Sequence, residues 1–140
     1  MHNILYSNNS SYYSMIARLV LAEKAVAYEL RHIDIHIKME QFAPEYVTIQ
    51  PNMTVPVLVC DGVNIADSHQ ILLFANKHFS GPDLCPAEDE AAILKSLDLH
   101  YAFSIEDLTM GKALRKSPIA GFALARGLKR AARRCQELMR

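Results

Sequence analysis

The sequence predicts an α/β fold: a βαβ unit, then a ββα unit, then a short all-α segment. Three observations predict it. Apolar spacing changes from strand-like over Asn3–Tyr6 to helical from Tyr12 onward. Asp61-Gly62 separates two β-branched runs, Val57–Cys60 and Val63–Ile65, which is the composition of a tight hairpin turn. Ser80-Gly81-Pro82 then precedes a stretch whose apolar residues (Ala91, Ile93, Leu94, Leu97, Leu99) are spaced only as helices space them.

Taken in order, Asn3–Tyr6 reads as the first strand. Ser7, Asn8, Asn9, Ser10 and Ser11 form a turn-and-cap cluster ahead of a helix whose apolar side is read as Leu19, Val20 and Ala22. That cluster joins a strand end to a helix N-terminus, where unpaired N–H groups favour anions. Tyr28–Ile35 alternates and reads as a second strand. Phe42–Ile49 suits a short helix, ended by Pro51-Asn52. After the hairpin, Asp67-Ser68 caps a helix over His69–His78 with Ile71, Leu72 and Phe74 inward. The later helical pattern runs to about Thr109. Ser117-Pro118 opens a last helix carrying Phe122, Leu124, Leu128 and Leu138, Ser as cap and Pro as first helical residue. The expected domains are residues 1–80 and 81–140.

Bulk composition bounds the function. With 51% hydrophobic and 21% charged residues, the 140-residue chain has the balance of a globular protein large enough for a real core. Zero formal net charge gives no global pull toward nucleic acid or membranes. The three cysteines, Cys60, Cys85 and Cys135, form no CxxC pair and fit a reducing compartment. The start MHNILY lacks the basic-then-apolar plan of a signal peptide, so a cytoplasmic setting is expected. His32, His36, His69, His78 and His100 show no metal-ligand spacing, and no metal is expected. The basic last helix reads as a solvated face that answers the acidic stretch Asp83–Asp107; an amphipathic membrane-surface helix is the minor alternative.

Three segments carry the chemistry: Ser10-Ser11-Tyr12-Tyr13-Ser14 with Arg18 behind it, Gln50-Pro51-Asn52-Met53-Thr54-Val55-Pro56-Val57-Leu58, and Asp67-Ser68-His69-Gln70-Ile71. A Val-Pro bond ahead of a strand is a candidate cis peptide, a trans proline opening the strand being the alternative. Asp67 and Ser68 cap a helix; the same hydroxyl and free N–H groups suit a carboxylate, and Asp67 suits an ammonium. The hydroxyls of Ser10, Ser11 and Ser14 either cap their helix or also hydrogen-bond a ligand.

In this order and spacing the three segments resemble the N-terminal, thioredoxin-like domain of glutathione transferases, with patterns S-x-x-S-x-x-x-R, N-P-x-x-x-V-P-x-L and E-S-x-x-I. Leu21-Ala22-Glu23-Lys24 resembles the family's first helix, and the likeness covers residues 3 to 79. It implies a cis Val55-Pro56 bond, with Val55 pairing its backbone to the cysteinyl part of glutathione. Ser68 would take the γ-glutamyl carboxylate and Asp67 the ammonium. Lys38 or Gln41 would meet the glycyl carboxylate, with Ser10 and Thr54 nearby. Ser11, seven residues before Arg18, stands where the serine-type classes place the residue that activates the thiol. A free thiol has a pKa of about 8.5. Lowering it by two units takes about 2.7 kcal/mol of differential stabilisation.

Tyr6 matches the catalytic tyrosine of other classes only loosely. Tyr12-Tyr13 replaces the family's Pro-Phe, and both tyrosines are assigned to the electrophile pocket. Leu97–Gly111 resembles the first helix of the family's C-terminal domain, which places Tyr101 and Ile105 toward the same pocket. That domain has five or more helices; residues 81–140 have room for about two. The likeness is nearest to the dehalogenase-like and ganglioside-induced differentiation-associated branches. It implies an enzyme that joins glutathione, its co-substrate, to a small hydrophobic electrophile, acting as a homodimer. A non-catalytic binding or interaction module is the second reading. A glutaredoxin-like oxidoreductase is a poor third, because no cysteine stands in the Ser10–Ser14 loop.

Overall fold

The computed structural model describes residues 2–105 and, beyond them, residues 117, 119, 121, 122, 125, 126, 128, 129 and 133. The chain divides into two units, one built on Met1–Pro82 and one on Asp83–Leu128.

In the first unit, β1 (Asn3–Ser7), β2 (Glu29–His32), β3 (Val57–Cys60) and β4 (Val63–Ala66) form one sheet in the order β2-β1-β3-β4. β2 is parallel to β1, and the remaining pairs are antiparallel. This is the thioredoxin-like arrangement expected. α1 (Tyr12–Glu23) and α3 (Ser68–His78) pack on one another, and Leu5, Leu21, Leu58 and Ile71 lie fully buried. A second core cluster joins Tyr6, Ile33 and Val57 to Tyr46 of the short helix α2 (Pro44–Val47). The Tyr6 and Tyr46 rings meet edge to face, 5.8 Å between centroids.

The Asp61-Gly62 hairpin forms as expected, with φ of +47° and +85°, the mirror-image turn that matches strand twist. β2 is shorter than expected, Glu29–His32 rather than Tyr28–Ile35. Ile33 N–H still bonds Ser7 O, but the Asn8 side chain occupies Ile33 O, and Asp34 then turns the chain by accepting from His36 and Ile37 N–H. The expected helix over Phe42–Ile49 breaks in two, a 3₁₀ turn Glu40–Phe42 and α2. Ala43 between them is extended (φ −70°, ψ 138°), because the Pro44 ring disfavours helical backbone in the residue before it.

The face of α1 also differs from the expectation. Ser14, Ala17, Val20 and Leu21 are buried, whereas Leu19 is 59% exposed and Ala22 is exposed. The inward stripe continues to Lys24, whose buried ammonium donates to Pro82 O at 2.7 Å and Asn76 Oδ1 at 3.3 Å. On α3, Ile71 and Ala75 are fully buried and Leu72 and Phe74 half-buried.

In the second unit, α4 spans Glu90–Tyr101. The expected continuation to Thr109 falls largely outside the described residues, as do Pro118, Leu124 and Leu138 of the expected last helix. Gly121 N–H bonds Ser117 O, and Phe122 and Leu128 are exposed.

Candidate functional site

Sheet register decides which loops meet. Tyr6 pairs with Val57, and Val57 with Ala66, while Ser7 pairs with His32. The segments after β1 (from Asn8), before β3 (Thr54–Pro56), after β4 (from Asp67) and after β2 (from Ile33) therefore leave the sheet at one end, side by side. Neighbouring strands lie about 4.8 Å apart, so β1 and β4 are separated by about 10 Å. That is the span of an extended tripeptide, about 10 Å.

The β1–α1 loop is organised by Asn8, which is 4% exposed. Its side-chain amide donates to Ile33 O at 2.7 Å, which turns Oδ1 toward Ser10. Oδ1 lies 2.9 Å from Ser10 N and 2.6 Å from Ser10 Oγ. An amide oxygen only accepts, so both Ser10 groups donate to it. His36 Nε2 also lies 2.6 Å from Ser10 Oγ. The Ser10 proton is already committed, so His36 carries a proton on Nε2 and donates it to Ser10. Arg18 secures the loop from α1, Nη1 donating to Ser7 Oγ at 2.7 Å and to Asn8 O at 3.2 Å.

Ser14 is fully buried, and its Oγ accepts from Asn8 N–H at 3.3 Å. Ser11 is half-buried and caps α1, its Oγ accepting from Ser14 N–H at 3.2 Å. The Ser11 hydroxyl proton has no acceptor among the described residues. Tyr12 and Tyr13, the next two residues, are half-buried and meet edge to face at 5.7 Å.

Val55-Pro56 is cis, and the backbone N–H and C=O of Val55 have no hydrogen-bond partner among the described residues. Tyr46 holds the approach to this bond, its hydroxyl donating to Thr54 O at 2.6 Å. Burial pushes the Tyr46 phenol far above its ordinary range, so the proton stays in place. Gln50 donates to Thr54 Oγ1 at 3.2 Å.

Asp67 caps α3 as expected, Oδ1 accepting from His69 N–H at 3.0 Å, with a positive φ of +75°. The side chain of Ser68 is buried, 1% exposed. In the β2–α2 loop, Lys38 is exposed, 3.7 Å from Glu40 Oε1. Gln41 is half-buried, donating to Ile35 O at 3.4 Å, while its Oε1 is buried without a partner among the described residues. Tyr101 and Ile105 belong to the second unit, where both are half-buried.

Register thus brings Ser10, Ser11, Thr54, Val55, Pro56, Asp67 and Ser68 to one end of the sheet, with the Lys38 and Gln41 loop alongside. Tyr6 is a core residue whose hydroxyl accepts from Arg31 Nη1 at 3.1 Å. Two surface grooves lie elsewhere on this unit, one of about 590 Å³ over Tyr6, Arg31 and Tyr46 and one of about 440 Å³ beside Gln70 and Phe74. Sequence reasoning missed Asn8, His36 and Tyr46. Asn8 had a weak signal, a turn-forming residue in a turn cluster; the roles of the other two depend on distant partners.

Cys60 is buried in β3, and burial pushes its thiol up; Cys85 is shifted the same way by desolvation, then Glu90 and Asp83. Neither is disposed to be a thiolate. Among the described residues no group of His, Cys, Asp and Glu could hold a metal ion. No described helix is long and apolar enough to cross a membrane.

Comparison with known proteins agrees with this fold. Residues 10–78 match the family model for the glutathione S-transferase N-terminal domain. A tetrachloro-p-hydroquinone reductive dehalogenase of Sphingobium chlorophenolicum is 34% identical over 90 residues, 64% of this chain and 36% of that one. Glutathione transferase E6 of Drosophila melanogaster superposes with a TM-score of 0.72 at 27% identity, over 80% of this chain and 53% of that one. A glutathione transferase homologue of Drosophila mojavensis, solved with bound glutathione, superposes with a TM-score of 0.63 at 29% identity, over 67% and 44% of the two chains. The chain therefore spans about half the length of these relatives or less. Through residues 10–78 the protein belongs to the glutathione S-transferase family, whose N-terminal domain it carries.

Proposed function

We propose that the protein is a glutathione-dependent enzyme of the transferase type. Glutathione lies across the sheet end, its γ-glutamyl group toward Asp67 and Ser68, its cysteine against the Val55 backbone, its glycine toward Lys38 or Gln41. The family's co-substrate, bound in a solved relative, supports this reading, as does the fit of an extended tripeptide to the spacing of the loops.

The observation that carries the mechanism concerns the hydroxyls. Of Ser10, Ser11 and Ser14, Ser11 alone combines an uncommitted proton with access to the surface. Its capping bond fixes the oxygen and leaves the O–H free to donate to the glutathione sulfur. The N-terminus of α1 adds a field that favours an anion there. Together they favour thiolate over thiol. The thiolate attacks a small hydrophobic electrophile; the carbon–sulfur bond forms as the leaving group departs with its electron pair. The protein supplies orientation and charge stabilisation, and glutathione the nucleophile. Tyr12 and Tyr13 directly follow Ser11 and would meet the electrophile. A cytoplasmic homodimer completes the reading.

The test is calorimetric titration of glutathione in two buffers of different ionisation heat. Binding with proton release near neutral pH is expected. Binding without it removes Ser11 as activator. No binding at millimolar glutathione removes the enzyme reading and leaves the interaction module.

A further inference from the structure

The β2–α2 loop is closed on itself at its base. Glu40 N–H donates to Asp34 O at 2.8 Å, and Asp34 N–H donates back to Glu40 Oε2 at 2.7 Å. Inside this ring, Asp34 Oδ1 accepts from the N–H groups of His36 and Ile37. Ile33 and Met39 are buried and anchor the base. The tip is His36, Ile37 and Lys38, all exposed, Ile37 by 89%. A ring whose polar bonds are internal keeps its shape but can swing on its base.

One bond stops that swing. The 2.6 Å hydrogen bond between His36 Nε2 and Ser10 Oγ ties the tip to the β1–α1 loop. Among the described residues it is the only hydrogen bond from residues 34–38 to anything outside 34–41. Its direction is fixed. Asn8 Oδ1 receives both Ser10 donors, so Ser10 Oγ has only lone pairs to offer and His36 donates. The bond therefore joins the loop that carries Lys38 and Gln41 to the residue just before Ser11.

We propose that His36 is a positioning residue: through Ser10 it holds the β2–α2 loop where the glycyl end of glutathione docks. The inference rests on the transferase reading for its ligand, and on the loop geometry alone for the hold itself. A tip pinned in advance spares the ligand the cost of ordering it, so the effect falls on affinity. The bond involves neither the Ser11 hydroxyl nor α1, so turnover at saturating glutathione does not depend on it. Donation by His36 also sets which replacement can serve. Gln carries an N–H donor at a similar reach and restores the hold; Ala carries none.

The test compares wild type, His36→Ala, His36→Gln, Ser10→Ala and the combined Ser10→Ala and His36→Ala variant, all as full chains. Without ligand, backbone amide order parameters of His36, Ile37 and Lys38 should fall from about 0.85 in wild type to below about 0.6 in His36→Ala. They should recover in His36→Gln. With ligand, His36→Ala should weaken calorimetric glutathione affinity about fivefold, the worth of one hydrogen bond, with kcat unchanged. Once Ser10 is alanine, His36→Ala should cost nothing more. Order parameters that ignore His36→Ala overturn the proposal. So does a fall in kcat that matches the fall in affinity. An affinity loss that persists in the Ser10→Ala background overturns it too, because His36 then meets the ligand directly. A wild type that binds no glutathione, with a loop that still loosens in His36→Ala, overturns the transferase reading and keeps the hold.

Discussion

Asn8 and Ile33 are joined by a 2.7 Å hydrogen bond from the Asn8 side-chain amide to the Ile33 carbonyl, and this bond orients the whole β1–α1 loop. It ends β2 by occupying the carbonyl, and it aims Oδ1 at Ser10. Asn8→Ala leaves Ile33 O and the two Ser10 donors without their partner. The expected cost is about 1–3 kcal/mol, read as a lower midpoint in urea. Asn8→Asp keeps the acceptor and loses the donor, so it should fall between wild type and alanine.

Ser11 caps α1 and, in the proposed mechanism, also donates to the glutathione sulfur. Ser11→Ala removes the cap, at a cost of about 1 kcal/mol in stability. It also removes the donor to sulfur, for which a drop in turnover of about a hundredfold is expected, with glutathione affinity nearly unchanged. Ser11→Thr keeps both groups and should keep most activity. Initial rates over a range of glutathione concentrations, set beside a denaturation curve for each variant, check both halves.

Tyr46→Phe tests the support behind the cis-proline loop. It deletes the 2.6 Å bond to Thr54 O and nothing else of the side chain. A loss of about 1–2 kcal/mol in stability is expected, with weaker glutathione binding, because Thr54 leads directly into Val55. Calorimetric affinity and a thermal melt measure the two effects.

Asp34 gives a pH signature. Its carboxyl is held below the usual aspartate range chiefly by the N–H groups of Ile37 and His36, with Lys38 adding to them. A depressed native pKa means that the carboxylate's contribution is present above the unfolded value of about 3.9 and is lost as pH falls through the native one. The His36 and Ile37 amide resonances should therefore move together below about pH 4. Asp34→Asn should remove that transition.

What was legible in the sequence was local. The Asp61-Gly62 turn, the Asp67 cap and the order of the strands follow from residues adjacent in the chain. The Val55-Pro56 geometry came from the flanking pattern. What was illegible depends on partners far along the chain. Asn8 is one polar residue among five in a turn cluster, and only Ile33, 25 residues later, gives it a role. Leu19 counted as core because an apolar residue at helical spacing usually is; the buried face of α1 runs through Ser14, Ala17, Val20 and Leu21 instead. Tyr28–Ile35 alternates through its whole length, but alternation cannot show that a side-chain amide cuts the ladder short.

All four functional segments leave the sheet at one end, and the strands that hold them bury Leu5, Val57 and Leu58 beneath. Folding and chemistry are therefore divided between different residues. The core can stay fixed while Lys38 or Thr54 in the loops, or Tyr12 or Tyr13 at the start of α1, changes, so under the proposed function a descendant could acquire a new electrophile by altering a few positions at the sheet end. That separation makes the scaffold a starting point for new specificities, reachable one substitution at a time without passing through an unfolded ancestor.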